Sequence, residues 1–318
     1  MNLNLVHLDD ALLGQPAFLE ACGGLGAVQI DVRCSGPDLR LWATHDDYAA
    51  LTDKLREKLS GLESTWPLVT WLGSGDFHHV SAALVKLRAE ALGKPLTIIH
   101  FDNHPDWVSF AGGLHCGSWV RYVLETGAVD RVISLGLTSR DLAWPEFKGA
   151  ALDLVASGHL VVFPLAPPAT VVISNYGRGA AHAQDGRRIE WQRFETDAQS
   201  KAAQRILDLV ETDSIYVTID KDVLGSDNAK TNWDQGALTI DSLVGWIEVL
   251  SKAKSIAGLD IVGDYSKPAY GNGFAAATWK RAEALVDQPR QLNSLTLAGN
   301  VNQATNLKLL KVLEAALC

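Results

Sequence analysis

Short apolar runs alternate with amphipathic segments of helical period along the whole chain, and this alternation constrains the fold more than any other feature. Strands that are separated by helices usually pair in parallel, because each helix returns the chain to the starting edge of the sheet. We find no internal repeat, low-complexity tract or linker that interrupts the pattern. The sequence therefore predicts one α/β domain over residues 1–318, with a mostly parallel central sheet.

The apolar runs themselves are the predicted strands. They cover residues 3–8, 68–72, 96–101, 132–137, 160–163, 215–219, 256–262 and 292–297. Residues 164–195 carry several Pro, Gly and Arg residues, and we interpret them as a long irregular excursion. Loops of that length in a compact domain are usually functional or mobile.

Composition and charge exclude several classes of function. Hydrophobic residues make up 47% of the 318 residues, enough for a sizeable core. The net charge of −9, without a basic cluster, argues against nucleic-acid or membrane partners and leaves a small molecule as the expected partner. No apolar run approaches the ~20 residues of a membrane span, and the first residues lack the features of a signal peptide. Four cysteines without C-x-x-C spacing predict no disulfide framework, so a cytoplasmic location is expected.

One apolar run, residues 96–101, ends abruptly in Asp102-Asn103-His104-Pro105-Asp106. Alternate residues of an extended chain point the same way, so Asp102, His104 and Asp106 should converge just beyond the carboxyl end of the strand. Ligands of open α/β sheets bind at that edge. Carboxylates and an imidazole this close need a cation or strong donors between them, and the combination suits Mn²⁺. The alternative is a polar turn with one satisfied His.

Two further strand ends carry ligand-type residues. His78 and His79 follow residues 68–72, whereas Asp220 and Asp222 follow residues 215–219. A parallel sheet would bring all three strand ends to the same side. The carboxylates are too many for one ion, and a pair of cations that share a carboxylate or a water fits better, as in two-metal hydrolases. Three coincidental acidic turns are the alternative.

A pair of cations would make hydroxide available at neutral pH for attack on a trigonal carbon, and the leaving amine would then need a proton. His115, in a Gly-rich loop, is the best candidate to carry that proton, because an unperturbed imidazole titrates near neutrality. The alternative is an exposed loop His without a catalytic role.

Together these motifs resemble those of the ureohydrolase superfamily of arginases, agmatinases and formimidoylglutamases, from about residue 68 to 262. Residues 100–106 are similar to its Asp-Ala-His-x-Asp signature, residues 218–222 to Ser-x-Asp-x-Asp, and residues 73–79, less cleanly, to Gly-Gly-Asp-His. The resemblance implies a three-layer αβα fold with two Mn²⁺, or alternatively Zn²⁺ or another divalent ion, bridged by hydroxide. It also implies assembly into a homo-oligomer.

The resemblance further implies a ligand set. Asp102 and Asp220 would bridge both metals, Asp106 with His78 or His79 would complete one site, and His104 with Asp222 the other. The spacing to Asp102 favours His79, whereas the position soon after Gly75-Asp76 favours His78. Both histidines therefore remain candidate ligands.

The chain departs from the family pattern where substrate is bound. Gly263 stands where guanidine-hydrolysing members carry a Glu, and Asp264 follows it. A guanidinium needs a carboxylate fork, which Asp264 or Asp234 could offer, and we take Asp264 as a candidate catalytic residue. The prediction is a dinuclear Mn²⁺ hydrolase of C–N bonds in an amidine, guanidine or amide-type molecule. The alternatives are a catalytically silent metal-binding homologue and a Zn²⁺ deacylase of the same fold.

Overall fold

A parallel β-sheet runs through the centre of the computed structural model, which describes residues 1–61, 66–289 and 294–317. The strands are β1 (Asn2–His7), β2 (Val28–Asp31), β3 (Trp42–Ala43), β4 (Leu68–Trp71), β5 (Leu96–Phe101), β6 (Leu114–His115), β7 (Val129–Leu135), β8 (Leu160–Phe163), β9 (Thr170–Val171), β10 (His182–Asp185), β11 (Arg188–Trp191), β12 (Ser214–Asp220) and β13 (Ser255–Val262). Within the described residues, eight strands form the central sheet in the order β2-β1-β4-β13-β12-β5-β7-β8, and every neighbouring pair is parallel. The predicted parallel sheet is confirmed.

Helices cover both faces of this sheet. They are α1 (Pro16–Gly24), α2 (Gly36–Leu39), α3 (His45–Leu59), α4 (Val80–Leu92), α5 (Trp119–Glu125), α6 (Leu152–Ser157), α7 (Lys201–Asp208), α8 (Ile240–Ala253), α9 (Gly273–Asp287) and α10 (Leu295–Leu317). Side chains of α3 to α6 pack on one face, and those of α1, α7, α8 and α10 on the other. Adjacent residues of one strand serve opposite layers, as Ile98 and Ile99 do, which is why the central strands are apolar throughout. The three-layer arrangement is confirmed.

None of the helices in the described ranges combines the length and the apolar character that a membrane crossing requires.

Three segments hold strands that the sequence did not predict, and one of them is the loop in which β6 pairs with β3. The edge strand β2 pairs with β1 in a region that gave no clear pattern. The interpretation of residues 164–195 as irregular was wrong, because β9, β10 and β11 form a small antiparallel sheet there. These strands are only two to four residues long, and buried and exposed positions follow no clear alternation, so neither length nor periodicity gave a signal.

The strand predicted at residues 292–297 was wrong in its described part. Leu292 and Asn293 lie outside the described residues, and α10 begins at Leu295. The buried positions of α10 recur at helical spacing, and they are Ala298, Asn302, Thr305, Asn306, Leu309, Leu310 and Leu313. Because α10 packs against α8 and α1, tertiary contacts override the local strand-like alternation.

The carboxyl ends of β4, β12 and β5 lie along one edge of the sheet. β5 pairs directly with β12, and β13 lies between β12 and β4. The residues that follow these three strands are the ones with ligand-type side chains. The parallel topology therefore delivers them to a common place, as the sequence predicted.

Candidate metal centre

His78 lies among three carboxylates at this edge. Its Nδ1 is 3.0 Å from Asp102 Oδ2, 3.0 Å from Asp106 Oδ2 and 3.7 Å from Asp220 Oδ2. All four side chains are buried. Despite this proximity, Nδ1 makes no well-formed hydrogen bond to any described residue. A polar ring nitrogen that is buried, unbonded and surrounded by acidic oxygens fits a cation ligand.

The other nitrogen of His78 explains why Nδ1 is free. Nε2 lies 2.9 Å from the Thr218 hydroxyl, and that hydroxyl donates to Asp260 Oδ1 at 2.7 Å. Since the hydroxyl hydrogen goes to Asp260, Thr218 accepts from Nε2–H, and the lone pair remains on Nδ1. Such outer hydrogen bonds fix the tautomer of metal-ligating histidines.

A second group forms around His104. Its Nδ1 lies 2.9 Å from Asp222 Oδ2 and 3.6 Å from Asp102 Oδ1. Asp102 thus directs one oxygen at each imidazole, because its Oδ2 faces His78 and its Oδ1 faces His104. The two groups could each hold a metal ion, with Asp102 belonging to both. A shared carboxylate is the arrangement that a pair of cations requires.

Backbone geometry holds these carboxylates in place. Asp106 has a left-handed φ of 49°, which is uncommon for a residue other than glycine, and its Oδ2 accepts a hydrogen bond from Trp119 Nε1 at 2.7 Å. Asp220 caps the short turn after β12 and accepts from the Asp222 N–H at 2.9 Å. The left-handed backbone at Asp106 and the turn cap at Asp220 therefore fix the orientation of these two carboxylates.

Gly75 and Gly263 enclose Asp220. A Cβ on Gly75 would lie 2.6 Å from Asp220 Oδ2, and one on Gly263 would lie 2.4 Å from Asp220 Oδ1. Gly263 also has a φ of 94°, which side-chain-bearing residues rarely adopt. Position 263 therefore accepts no side chain in this structure.

Burial and repulsion between like charges perturb the carboxylates strongly. Burial and the neighbouring Asp102 raise the pKa of Asp220 to about 7, and burial with nearby carboxylates also raises the pKa of Asp106 and Asp222. Burial acts to raise the pKa of Asp102 too, but the hydrogen bond and the charge of His100, together with His104, outweigh it and hold that pKa well below its usual value. Four buried carboxylates lie together in this cluster, and bound cations would relieve the repulsion between them.

The structure separates the two candidate histidines. His79 is fully buried at the start of α4, and neither of its ring nitrogens has a hydrogen-bond partner among the described residues. Burial holds its pKa well below the usual value. His78, not His79, joins the carboxylates.

Asp264 belongs to neither group of candidate metal ligands. It is fully buried, and Lys221 Nζ lies 2.5 Å from its Oδ1. Gln15 Nε2 donates to the same oxygen at 2.9 Å. Asp264 is not among the described residues that line the cavity over the metal centre, whereas Asp234 is.

That cavity has a volume of about 740 Å³, and His115 forms part of its wall. The Gly117 N–H donates to His115 Nδ1 at 2.8 Å, so the ring hydrogen belongs on Nε2, which bonds to Glu283 of α9. The described cavity lining also includes Arg140, Trp233 and Gln288. His115 thus donates its Nε2 hydrogen to a carboxylate, in the wall of the cavity that the candidate metal ligands also line.

Sequence reasoning missed two residues of the site, His100 and Glu283, and it considered Asp234 only as a carboxylate for a substrate. His100 Nε2 lies 2.9 Å from Asp102 Oδ2, and its position two residues before Asp102 on the same strand was a signal that could have found it. Asp234 Oδ1 lies 2.8 Å from His104 Nε2. Glu283 lies on a helix 168 residues after His115, and no local pattern could have linked the two.

Comparisons with known proteins agree with this architecture. The Arginase family matches residues 26–155. An uncharacterized protein of Thermotoga maritima is 26% identical over 213 residues, which cover 66% of this chain and 65% of that protein, slightly under two thirds of its length. Arginase from Bacillus subtilis has a TM-score of 0.55 at 14% identity, covering 96% of this chain and 98% of that one. A hypothetical agmatinase from Burkholderia thailandensis has a TM-score of 0.51 at 18% identity, covering 99% and 86%. These similarities confirm the predicted arginase-like fold.

Proposed function

We propose that this chain is a divergent member of the ureohydrolase superfamily and a hydrolase that uses two divalent cations, Mn²⁺ foremost, to cleave a C–N bond. The substrate would be an amidine, guanidine or amide-type small molecule. One observation carries the proposal, namely that Asp102 directs its two oxygens at two separate imidazoles, each of which has further carboxylates beside it.

His78 with Asp106, and His104 with Asp222, would hold one cation each; Asp102 belongs to both groups, and Asp220 lies beside His78. The cations would supply Lewis-acid activation of water and of the substrate. The protein contributes orientation, since Thr218 fixes the ring of His78 and Asp234 fixes that of His104. Preorganised ligands of this kind lose little entropy when the site fills.

His115 would protonate the leaving amine. In the structure the ring is neutral, with Nδ1 accepting from the Gly117 N–H and the hydrogen on Nε2 directed at Glu283. A second proton on Nδ1 would replace the Gly117 hydrogen bond, and Glu283 would stabilise the positive charge of the doubly protonated ring. The leaving nitrogen would take the Nδ1 hydrogen as the C–N bond breaks, which returns the ring to its neutral form with the remaining hydrogen on Nε2.

The expected substrate is not arginine or agmatine. Gly263 leaves no room for a carboxylate opposite a guanidinium, and Asp264 is bound to Lys221 away from the cavity. Asp234 lines the cavity, but its Oδ1 is engaged by His104 and its Oδ2 accepts from Asn103 Nδ2 at 3.2 Å. A neutral amide or an amidine therefore suits the site better than a guanidinium does.

Metal content per chain tests the proposal. The wild type, Asp222→Asn and the control Asp213→Asn would be loaded with Mn²⁺, desalted and measured by plasma mass spectrometry. Asp213 is an exposed carboxylate that pairs with Lys94 on the surface, so its variant controls for loss of charge alone. We expect about two Mn for the wild type and the control, and one or fewer for Asp222→Asn.

Three other results of these measurements would each support a different conclusion. No bound metal in any of the three proteins would overturn the proposal. One metal per chain in all of them would favour a mononuclear Zn²⁺ deacylase. Two metals without turnover on a panel of amides and amidines would favour a catalytically silent homologue.

A further inference from the structure

A second, mostly apolar groove adjoins the cavity over the metal centre. It has a volume of about 440 Å³ and lies between the loop that precedes β6 and helix α9. Val108, Phe110, Trp279, Ala282 and Val286 line it together with His115. Val108, His115 and Val286 also line the metal cavity, so the two spaces adjoin at the His115 ring.

Helix α9 builds one wall of this groove with a single stripe of side chains. Trp279, Ala282, Glu283 and Val286 recur at spacings of three and four residues, which places them on one helix face. Glu283 of this stripe is the residue that bonds to His115. The same helix face therefore holds the proton carrier and presents apolar surface next to it.

The apolar side chains of this stripe are unusually exposed. Trp279 is 67% exposed and Val286 is 83% exposed, although both are large hydrophobic groups. Apolar surface left open beside a reactive centre is typical of a ligand site. No Lys or Arg is among the described residues that line the groove, and of its two acids Glu283 is bound to His115. The lining thus favours an uncharged, apolar occupant.

We propose that the substrate carries an aromatic or aliphatic substituent that extends past His115 into this groove. The inference rests on the proposed function, since the reacting C–N bond must lie at the metal centre for a substituent to reach the groove. The substrate class becomes an amide or amidine with an apolar group. The polar, charged side chains of arginine-like molecules do not match this lining.

Hydroxamates test the inference, because the hydroxamate group chelates divalent metals while its tail can be varied. The Mn²⁺-loaded protein would be titrated calorimetrically with acetohydroxamate, 3-phenylpropanohydroxamate and 6-aminohexanohydroxamate. We expect the phenyl compound to bind about tenfold more tightly than acetohydroxamate, because its ring leaves water for the groove. In Trp279→Ala this ratio of Kd values should fall to about one.

Two controls keep a failure of folding or of metal binding separate from a failure of the inference. Trp66→Ala removes a tryptophan of similar exposure (53%) outside both cavities, and it should keep the tenfold ratio. The metal content of Trp279→Ala is measured in parallel and should equal that of the wild type.

The outcomes separate the two proposals. If no hydroxamate binds and no metal is retained, the proposed function fails. If metal is retained and all three compounds bind equally, the proposed function stands and the apolar substituent is refuted. Tighter binding of the amino compound than of the phenyl compound would refute it as well, in favour of a cationic tail drawn by Asp287 at the groove.

Discussion

The buried ion pair between Lys221 and Asp264 offers a sharp test of what Asp264 does. Both side chains are fully inaccessible to solvent, and Lys221 Nζ lies 2.5 Å from Asp264 Oδ1. Lys221 also donates to Asn306 Oδ1 at 2.9 Å, and Asp264 accepts from Gln15 at 2.9 Å. These contacts predict that Asp264 stabilises the fold and does not bind substrate.

The expected loss of folding free energy depends on which buried group each substitution leaves without its partner. Removing one partner of a buried ion pair usually costs about 3–5 kcal/mol. Lys221→Met leaves a carboxylate with two amide donors nearby, so we expect a loss of about 3 kcal/mol. Asp264→Leu leaves an ammonium with one neutral acceptor, so the expected loss is about 4 kcal/mol. The double variant leaves no unpaired charge and should cost less than the two single losses added together.

The pH dependence of the free energy of unfolding provides a second test with Asp264→Leu. Burial already lowers the pKa of Lys221 from 10.5, although Asp264 acts to raise it, and without Asp264 the pKa falls further. A lysine with a lower pKa in the folded state binds fewer protons there than in the unfolded chain. The variant should therefore gain stability as pH rises from the lowered folded pKa towards 10.5.

Urea unfolding of the metal-free proteins at pH 7, followed by circular dichroism, measures these losses. The exposed pair Lys94–Asp213 supplies the control, and Lys94→Met should change the free energy of unfolding by about 0.5 kcal/mol or less. Single losses below about 1 kcal/mol at Lys221 and Asp264, adding up without coupling in the double variant, would refute the argument. So would an Asp264→Asn protein of wild-type stability that binds metal but has lost turnover.

Three further predictions concern the metal centre and its surroundings. Gly263→Ala should destabilise the protein by about 2 kcal/mol or more and weaken metal binding. The Cβ of the alanine would meet Asp220, and φ at this position is left-handed. Unchanged thermal unfolding would contradict this prediction. His78→Leu should lose bound metal, as measured by plasma mass spectrometry, whereas His79→Leu should retain it. The free energy of unfolding of His79→Leu should lie within about 1 kcal/mol of the wild type, since His79 has no described hydrogen bond to lose. Equal metal loss in the two variants would contradict the assignment of His78 as the ligand. Glu283→Gln should weaken the hydrogen bond to His115, so that the resonance of the His115 Nε2 hydrogen moves upfield in NMR spectra. An unchanged resonance would show that Glu283 does not hold the His115 ring.

The central strands and the acidic strand ends could be predicted from sequence because their signals are local. β5 and β12 are buried on both faces, so their sequences are largely apolar runs that end where polar residues begin. Asp102 and His104 alternate along an extended chain, and a period of two is enough to place them on one side. A parallel sheet then requires that the ends of different strands meet.

The remaining features depend on contacts between distant residues. Asp264 pairs with Lys221 across 43 positions, and nothing near either residue in sequence indicates that pair. Gly263 matters because it touches Asp220, which belongs to a neighbouring strand. The choice between His78 and His79 depends on how the chain turns between β4 and α4, and adjacent residues there face different surroundings.

The geometry around His115 bears on whether the centre is catalytic or only holds metal. A structural or silent metal site needs the buried carboxylates, since the repulsion between them is relieved by bound cations whatever the protein does. It has no need for a hydrogen-bonded proton carrier in the cavity wall. His115 is held at both nitrogens, by Gly117 and by Glu283, at the junction of the metal cavity and the apolar groove. Because α9 supplies both Glu283 and the groove wall, proton delivery and substrate binding would depend on the same helix in the proposed reaction, and a silent site would not need that arrangement.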